Sequence, residues 1–287
     1  MVWSGGHTLE AVLRGHMKHR RASQVLVGDH VSLAVHDSPP ATIEHILPRR
    51  TLLKRRSPGR ARGTRAIAAN VGQVVVVGAA RQPDWDPYLI DRFLAVAEAN
   101  RLPASVVINK ADLADDCAAL AKPYESAGYA VSITSVRTGQ GVDQLRTILT
   151  GSVTLLTGPT GVGKSSLLNA LVPGLRLRTG EVGLRTQAGR HTTVAVDMHA
   201  IDADSFVVDT PGLRDIGLWG LSPLEVGAAF PELDGLSGGC RFDDCQHRGE
   251  PGCAVRAAVD DGELSASRYA SYRRLLDEAE QAARPWA

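Results

Sequence analysis

Gly158-Pro159-Thr160-Gly161-Val162-Gly163-Lys164-Ser165 is the stretch on which the reading of this chain turns. It fits the pattern GxxxxGK[ST] and runs on into Ser166. An apolar run of strand type, residues 153–157, precedes it, and a helical pattern opens at Lys164; that context gives the pattern its meaning. The glycines let the backbone wrap closely around a phosphate, and the helix start adds aligned N–H donors. In such a loop Lys164 reaches the β- and γ-phosphates of a nucleotide and Ser165 ligates Mg²⁺. An ordinary glycine-rich turn is the plain alternative.

Working outward, strands and helices alternate. Val74-Val75-Val76-Val77 is a strand of the fully buried kind. Asp86-Pro87 supplies an N-cap and a first-turn proline for a helix reaching about Asn100. Further strands are expected at 105–108, 129–133 and 206–208, and helices near 115–127 and 141–149. This alternation implies a doubly wound α/β sheet whose ligand site lies at the C-terminal ends of its strands.

Two companions to the glycine-rich loop sit at such strand ends. Asn109-Lys110-Ala111-Asp112 follows the 105–108 strand. An aspartate there can accept hydrogen bonds from N1–H and N2–H₂ of guanine; adenine lacks both donors, so the base would be guanine. Otherwise Asp112 is a plain helix cap. Thr134-Ser135-Val136, one strand later, can turn backbone N–H groups toward the guanine O6. Asp209-Thr210-Pro211-Gly212 follows the 206–208 strand, with Asp209 suited to Mg²⁺ and the Gly212 N–H to a γ-phosphate.

The order of these motifs is informative. In ordinary GTPases the phosphate loop comes first and NKxD later, whereas here NKAD comes before the phosphate loop. The chain reads as a circularly permuted GTPase domain cut between DxxG and NKxD, a rearrangement that surface loops permit. Residues 176–193 have the length and polar composition of a mobile switch, with Thr193 able to complete Mg²⁺ coordination. Leu213 follows DTPG, where a water-orienting glutamine would often stand. Slow intrinsic turnover with stimulation by a partner is expected. His191 is the candidate to position the water, and a surface histidine is the alternative.

Cys240, Cys245, His247 and Cys253 fall within 14 residues. Three cysteines and one histidine form a closed tetrahedral set of the kind that holds one structural Zn²⁺. Cys117 lies apart and reads as a packed core thiol.

The 287 residues carry a net charge of only +1, but it is unevenly distributed. Residues 1–66 hold 12 Lys and Arg against 4 Asp and Glu, leaving 20 against 27 for the remainder. Such a split suggests a basic module facing an anionic partner. Strands are expected at 25–27, 30–35 and 41–47, compatible with an OB-type barrel. Arg49, Arg50, Lys54, Arg55, Arg56, Arg60 and Arg62 lie in a stretch read as a mobile basic loop and linker, and they are the RNA-binding candidates. Trp3 is the one aromatic residue in the module, which favours phosphate and shape recognition over base stacking. No apolar run reaches the roughly 18 residues of a membrane span. MVWSGGHTLE has no basic region followed by an apolar core, which leads to an expectation of no secretory signal and a cytoplasmic location. Four cysteines are too few for a disulfide-dense secreted scaffold.

Taken together, NKAD, GPTGVGKSS, Gly189-Arg190-His191-Thr192-Thr193, DTPG and the Cys-x4-Cys-x-His-x5-Cys cluster resemble the ribosome small-subunit-dependent GTPase A family. Leu26-Val27-Gly28-Asp29, Ile46-Leu47-Pro48-Arg49-Arg50 and Ile67-Ala68-Ala69-Asn70-Val71 extend the resemblance. It implies an α/β fold: a circularly permuted P-loop GTPase domain (67–220), an N-terminal OB-like β-barrel (1–66) and a C-terminal helical zinc-binding domain (221–287). It also implies GTP hydrolysis stimulated by the small ribosomal subunit during its late maturation. The partners implied are that subunit, its rRNA, and GTP and GDP. No membrane is involved, and a monomer is expected. By motif position, His191 corresponds to a histidine implicated in hydrolysis and Thr193 to the Mg²⁺-contacting threonine. The N-terminal module departs from the family in length, since 24 residues precede Val25. A GTP-dependent tether without turnover is the competing reading, and an ATPase or DNA-binding zinc protein a third.

Overall fold

A computed structural model describes residues 1–15, 24–56, 64–172, 174–177, 197–209 and 221–283. The first half-dozen strands are short. β1 (Val2–Ser4) and β2 (His7–Leu9) form a hairpin turned by Gly5 and Gly6, both at positive φ. β3 (Ala11–Leu13) pairs parallel with β5 (Ala41–Ile46), and β4 (Val31–Ala34) pairs antiparallel on the other side of β5. The strands expected at 30–35 and 41–47 are therefore present, whereas the one expected at 25–27 reduces to a single bridge between Val27 and Ala68. The Asp29 carboxylate accepts from the Leu26 N–H at 2.7 Å, and Gly28 takes a φ of 87°, so a turn forms there.

The described residues of the stretch from Arg49 to Arg65, expected to be a loop and linker, include paired strand; residues 57–63 lie outside the described residues. β6 (Leu52–Arg56) and β7 (Thr64–Ala69) form an antiparallel hairpin, and β7 runs across residue 66. Leu53, 1% exposed, and Ala68, fully buried, belong to the core of the main sheet. Burial of one leucine in the basic run holds the base of the hairpin down.

The main sheet has the order β10-β9-β8-β11-β13-β12. Its strands are β8 (Gln73–Ala79), β9 (Ala104–Asn109), β10 (Ala130–Ile133), β11 (Val153–Thr157), β12 (Asp197–Ala200) and β13 (Phe206–Asp209). All pair in parallel except β12, which runs antiparallel to β13. Started at β11, the chain order becomes β11, β12, β13, β8, β9, β10, which is the winding of an unpermuted GTPase sheet.

Alternation along the strands explains their continuous apolar runs. Val74 and Val76 enter one core with Val106, Ile108, Leu155 and Val208. Val75 and Val77 enter the opposite core with Val107, Leu156 and Val207. Both faces are covered, so both sets of side chains must be apolar. Helix α1 (Pro87–Ala99) and helix α2 (Ala118–Ser126) pack on the first face, and α3 (Val142–Leu149) and α4 (Lys164–Leu171) on the second. Asp86 caps α1 by accepting from the Leu89 N–H, and Pro87 occupies its first turn. Cys117 sits at the start of α2, half-buried against the first core, where burial pushes its thiol up.

The C-terminal part contains α5 (Pro223–Ala228), α6 (Pro231–Ser237), α7 (Ala254–Asp260) and α8 (Ala266–Ala283). Tyr272, Leu275 and Leu276 of α8 join Phe230, Leu233 and Val255 in a third core, which also receives Tyr88 and Ala95 from α1. Within this seam Arg268, 1% exposed, donates to Asp91 of α1 at 2.7 Å and forks onto Glu232 of α6 at 2.7 and 3.1 Å. Its guanidinium also lies 4.6 Å from the centre of the Phe230 ring. No described helix is long and apolar enough to cross a membrane.

Candidate functional site

The phosphate-loop candidates gather where β11 meets α4. Gly158 takes a φ of 139° against β8, and a Cβ there would overlap the Val77 carbonyl oxygen. Gly163, at 96°, leaves a Cβ no room beside the Asn109 amide. Glycine is the residue these positions accept. Leu167, Leu168 and Leu171 are buried and fasten α4 to the sheet. Lys164, 8% exposed, folds over the loop and donates to the carbonyls of Gly158 at 2.7 Å and Pro159 at 2.6 Å. Its ammonium is thus held inside the curl formed by Gly158, Pro159, Thr160, Gly161 and Val162, with Ser165 and Ser166 in the next half-turn.

The base-loop candidates come together at the ends of β9 and β10. Asn109 is 2% exposed and bridges two loops: its amide donates to the Val162 carbonyl at 2.9 Å, and its oxygen accepts from the Thr134 hydroxyl at 3.1 Å. Lys110 adopts a left-handed φ of 59°, which turns the chain into a short 3₁₀ turn, Ala111–Leu113. The Ala111 N–H donates to the Thr134 carbonyl at 3.1 Å. The Ser135 hydroxyl donates to Asp112 Oδ1 at 2.5 Å, and Arg137 lies 3.5 Å from Oδ2. The Ser135 hydroxyl and the Arg137 guanidinium hold the Asp112 carboxyl below the usual carboxylate range. The Ser135 N–H donates to the Gln140 carbonyl at 2.9 Å. Val136 follows it on the same loop.

Two contributors, Gly141 and Gln82, escaped the sequence reading, and Thr134 takes a part other than the backbone donor expected of its loop. Thr134 carries half of the Asn109 bridge. Gly141, at a φ of 68°, packs where a Cβ would overlap the Ile133 carbonyl oxygen and so shapes the loop behind Ser135. In the β8–α1 loop, the Gln82 carbonyl accepts from the Lys110 ammonium. Gly141 had no signal beyond its place after a strand. Gln82-Pro83 does carry a turn signal.

Asp209 ends β13, and its backbone stands in register with Leu156, one residue before the end of β11. The phosphate loop and the Asp209 strand end therefore adjoin. Thr210, Pro211, Gly212, Leu213, His191 and Thr193 lie outside the described residues.

The metal candidates converge as well. One donor atom from each of Cys240, Cys245, His247 and Cys253 lies within 4.8 Å of every other. His247 Nδ1 is 3.5 Å from Cys240 Sγ and 3.4 Å from Cys253 Sγ. Sulfurs bound tetrahedrally at about 2.3 Å stand roughly 3.8 Å apart, so the set fits one metal ion. The surrounding loop is fixed from outside. Tyr269 and Tyr272 of α8 donate to the carbonyls of His247 at 2.5 Å and Gln246 at 3.0 Å. Glu250 gathers the N–H groups of Gln246, Arg248 and Gly249; burial pushes its carboxyl up, but these donors outweigh it and bring it down to about 2.

The basic candidates divide. Arg49 forks onto Asp29 at 2.6 and 2.8 Å and also donates to the Gln24 carbonyl at 2.8 Å, so its guanidinium is engaged within the domain. The Arg50 and Lys54 side chains are exposed. Arg55 and Arg56 have their backbones in β6, and Arg60 and Arg62 lie outside the described residues.

The family described as RsgA GTPase matches residues 46–219. The small ribosomal subunit biogenesis GTPase RsgA of Gemmatimonas aurantiaca is 48% identical over 279 residues, covering 95% of this chain and 91% of the relative. The protein of the same name from Moorella thermoacetica is 41% identical, with 96% of this chain and 92% of the relative covered. Among solved structures, YjeQ from Thermotoga maritima superposes with a TM-score of 0.75 at 35% identity, over 96% of this chain and 90% of that one. YloQ, described as a circularly permuted GTPase, superposes at 0.74 with 30% identity, over 97% and 88%. The permuted strand order, the phosphate loop beside β8 and these likenesses lead to one conclusion: the chain belongs to the RsgA GTPase family.

Proposed function

We propose that this protein binds GTP with Mg²⁺, hydrolyses it, and acts in the biogenesis of the small ribosomal subunit in the cytoplasm. The observation that carries the reading is the double link at the strand ends: Asn109 ties the phosphate loop to the Thr134 loop, and Asp112 is held by Ser135. Asp112 accepts from guanine N1–H and N2–H₂, and the Val136 N–H faces O6. The backbone of Gly158–Ser166 and the Lys164 ammonium surround the phosphates. Ser165 and Thr193 hold Mg²⁺, with Asp209 beside it, and the Gly212 N–H meets the γ-phosphate. Mg²⁺, when bound, neutralises charge on the β- and γ-phosphate oxygens. His191 orients the attacking water, since Leu213 cannot. Cys240, Cys245, His247 and Cys253 hold one structural Zn²⁺. The 1–66 module meets rRNA phosphates through Arg50, Lys54 and the neighbouring arginines, supported by its charge surplus. The test is multiple-turnover GTP hydrolysis with and without small ribosomal subunits, repeated for His191→Ala. Stimulation by the subunit that is lost in the variant is the expected result.

Leu213 favours a second reading, a GTP-dependent tether without turnover. Hydrolysis unchanged by added subunits, together with GTP-dependent binding to them, would select it.

A further inference from the structure

The loop between β8 and α1 touches both the base loop and the glycine-rich loop, and one tryptophan seats it there. The Gln82 carbonyl accepts from the Lys110 ammonium, and Pro83 Cδ lies 3.5 Å from where a Cβ on Gly161 would stand. On its way to Gln82 the Lys110 stem passes Gly163, with Cε 3.9 Å from the place of a Cβ there. Trp85 closes the same loop. Three atoms of its six-membered ring lie 2.3, 2.8 and 3.0 Å from where a Cβ on Gly78 would stand, so the indole fills the space that glycine leaves open on β8. The indole also meets Tyr124 of α2 edge to face, with ring centres 5.7 Å apart, and packs against the first core. Where the loop leaves the sheet, the Ala80 N–H donates to the Asn109 carbonyl at 2.8 Å.

Lys110 needs a restraint of this kind. Its φ of 59° is one that a residue with a Cβ rarely takes, and that bend starts the 3₁₀ turn Ala111–Leu113, which contains Asp112. Holding the side-chain end at a fixed point favours the backbone conformation from which it reaches. We infer that Trp85 is a positioning residue for base selection: by seating the β8–α1 loop on Gly78 it fixes the Gln82 carbonyl, which tethers Lys110 and so sets the aim of Asp112 at guanine. The inference rests on the GTP reading above.

Hypoxanthine differs from guanine in lacking N2–H₂, so the ratio of GDP to IDP affinity reads the aim of Asp112, whereas a general loss of structure lowers both affinities alike. The test measures both by calorimetry in wild type and four variants. Trp85→Leu removes the indole, Gly78→Ala displaces it with a methyl group, and Lys110→Met keeps the stem without the ammonium; the fourth combines Trp85→Leu with Lys110→Met. The preference for GDP should fall about fivefold in each single variant, the measure of one net hydrogen bond, and no further in the double variant. Hydrogen exchange at the Leu113 amide, which donates to the Lys110 carbonyl at 3.0 Å, should quicken in all four. If Trp85→Leu does not fold, Gly78→Ala takes its place in the cycle. An unchanged ratio, equal losses for GDP and IDP, or additive losses in the double variant would each overturn the inference. A wild-type chain with no preference for GDP would overturn the guanine reading, while exchange at Leu113 would still decide whether Trp85 holds the turn.

Discussion

The Ser135 hydroxyl and the Asp112 carboxylate, 23 residues apart in the chain, meet at 2.5 Å, so the loops after β9 and β10 hold that carboxylate between them. The hydroxyl occupies one lone pair of Oδ1 and stabilises the charged form. Asp112 is therefore a fixed anion.

Asp112→Asn replaces a charged acceptor with an amide that presents a donor to guanine N1–H or N2–H₂. GTP affinity should fall about a hundredfold, as for the loss of a charge-assisted hydrogen bond with a clash of donors. Because the folded carboxyl titrates below its unfolded range, its contribution is complete above the unfolded value and fades only as pH falls into the acid range. Affinity of the wild-type chain should accordingly be flat between about pH 5.5 and 8. Fluorescent GDP titrations across that range check both statements, and a wild-type affinity rising with pH near neutrality would contradict the second.

Gly163→Ala should cost about 3 kcal/mol of stability, because it forces a non-glycine residue to positive φ and displaces the Asn109 amide from Val162. The same substitution at Gly128, where no atom lies near the added Cβ, is the control for the backbone term alone. Denaturant midpoints measure the difference. Equal costs at the two sites would mean that the Asn109 bridge is dispensable.

Removing the metal by chelation, or breaking the set with Cys253→Ser, should cost on the order of 4 kcal/mol. The loss should fall on the third core, since Cys253 caps α7 and His247 is held from α8. Elemental analysis should give one zinc per chain. GDP affinity should survive, and its parallel loss would show that the metal loop supports the nucleotide loops directly.

Arg268→Met should destabilise the chain by about 3–5 kcal/mol, because Asp91 and Glu232 would keep their burial and lose their cation. The deficit should depend on pH. Burial already raises the Asp91 carboxyl, so the folded state favours its protonated form; that contribution is present at low pH and is lost as pH rises through the folded value. Without Arg268 the bias strengthens, so the variant should lose more stability at pH 7.5 than at pH 5. A deficit independent of pH would mean that Asp91 finds another partner.

Arg49→Met and Arg50→Ala should behave differently although the residues are adjacent. The first leaves the Asp29 side chain, itself 1% exposed, without its fork and should lower thermal stability. The second should leave stability unchanged and reduce the salt dependence of rRNA binding by about one unit of slope. Thermal melts and salt-series binding separate the two.

The sheet was legible in the sequence because its strands are buried on both faces and stand out as unbroken valine and leucine runs. The loops were legible because glycine at Gly158 and Gly163 is demanded by close backbone approach. The β6–β7 hairpin was misread as a linker because its charge density outweighed the single inward leucine, Leu53. The Leu26–Asp29 turn competed successfully with a strand through one side-chain contact, which periodicity does not register. Gly141 acts through its close fit beneath the Ile133 carbonyl, and no local signature marks it.

The strand order has a consequence for how the chain is made. β8 pairs with β9 on one edge but waits for β11 on the other, and Gln73 meets Thr154 only after 81 further residues have been added. At about 5–20 residues per second, that edge stays an open template for roughly ten seconds of synthesis. Asn109 and Asp112 are on the ribosome before the glycine-rich loop is made, and the sheet is completed later still, when β13 adds to the far edge of β11.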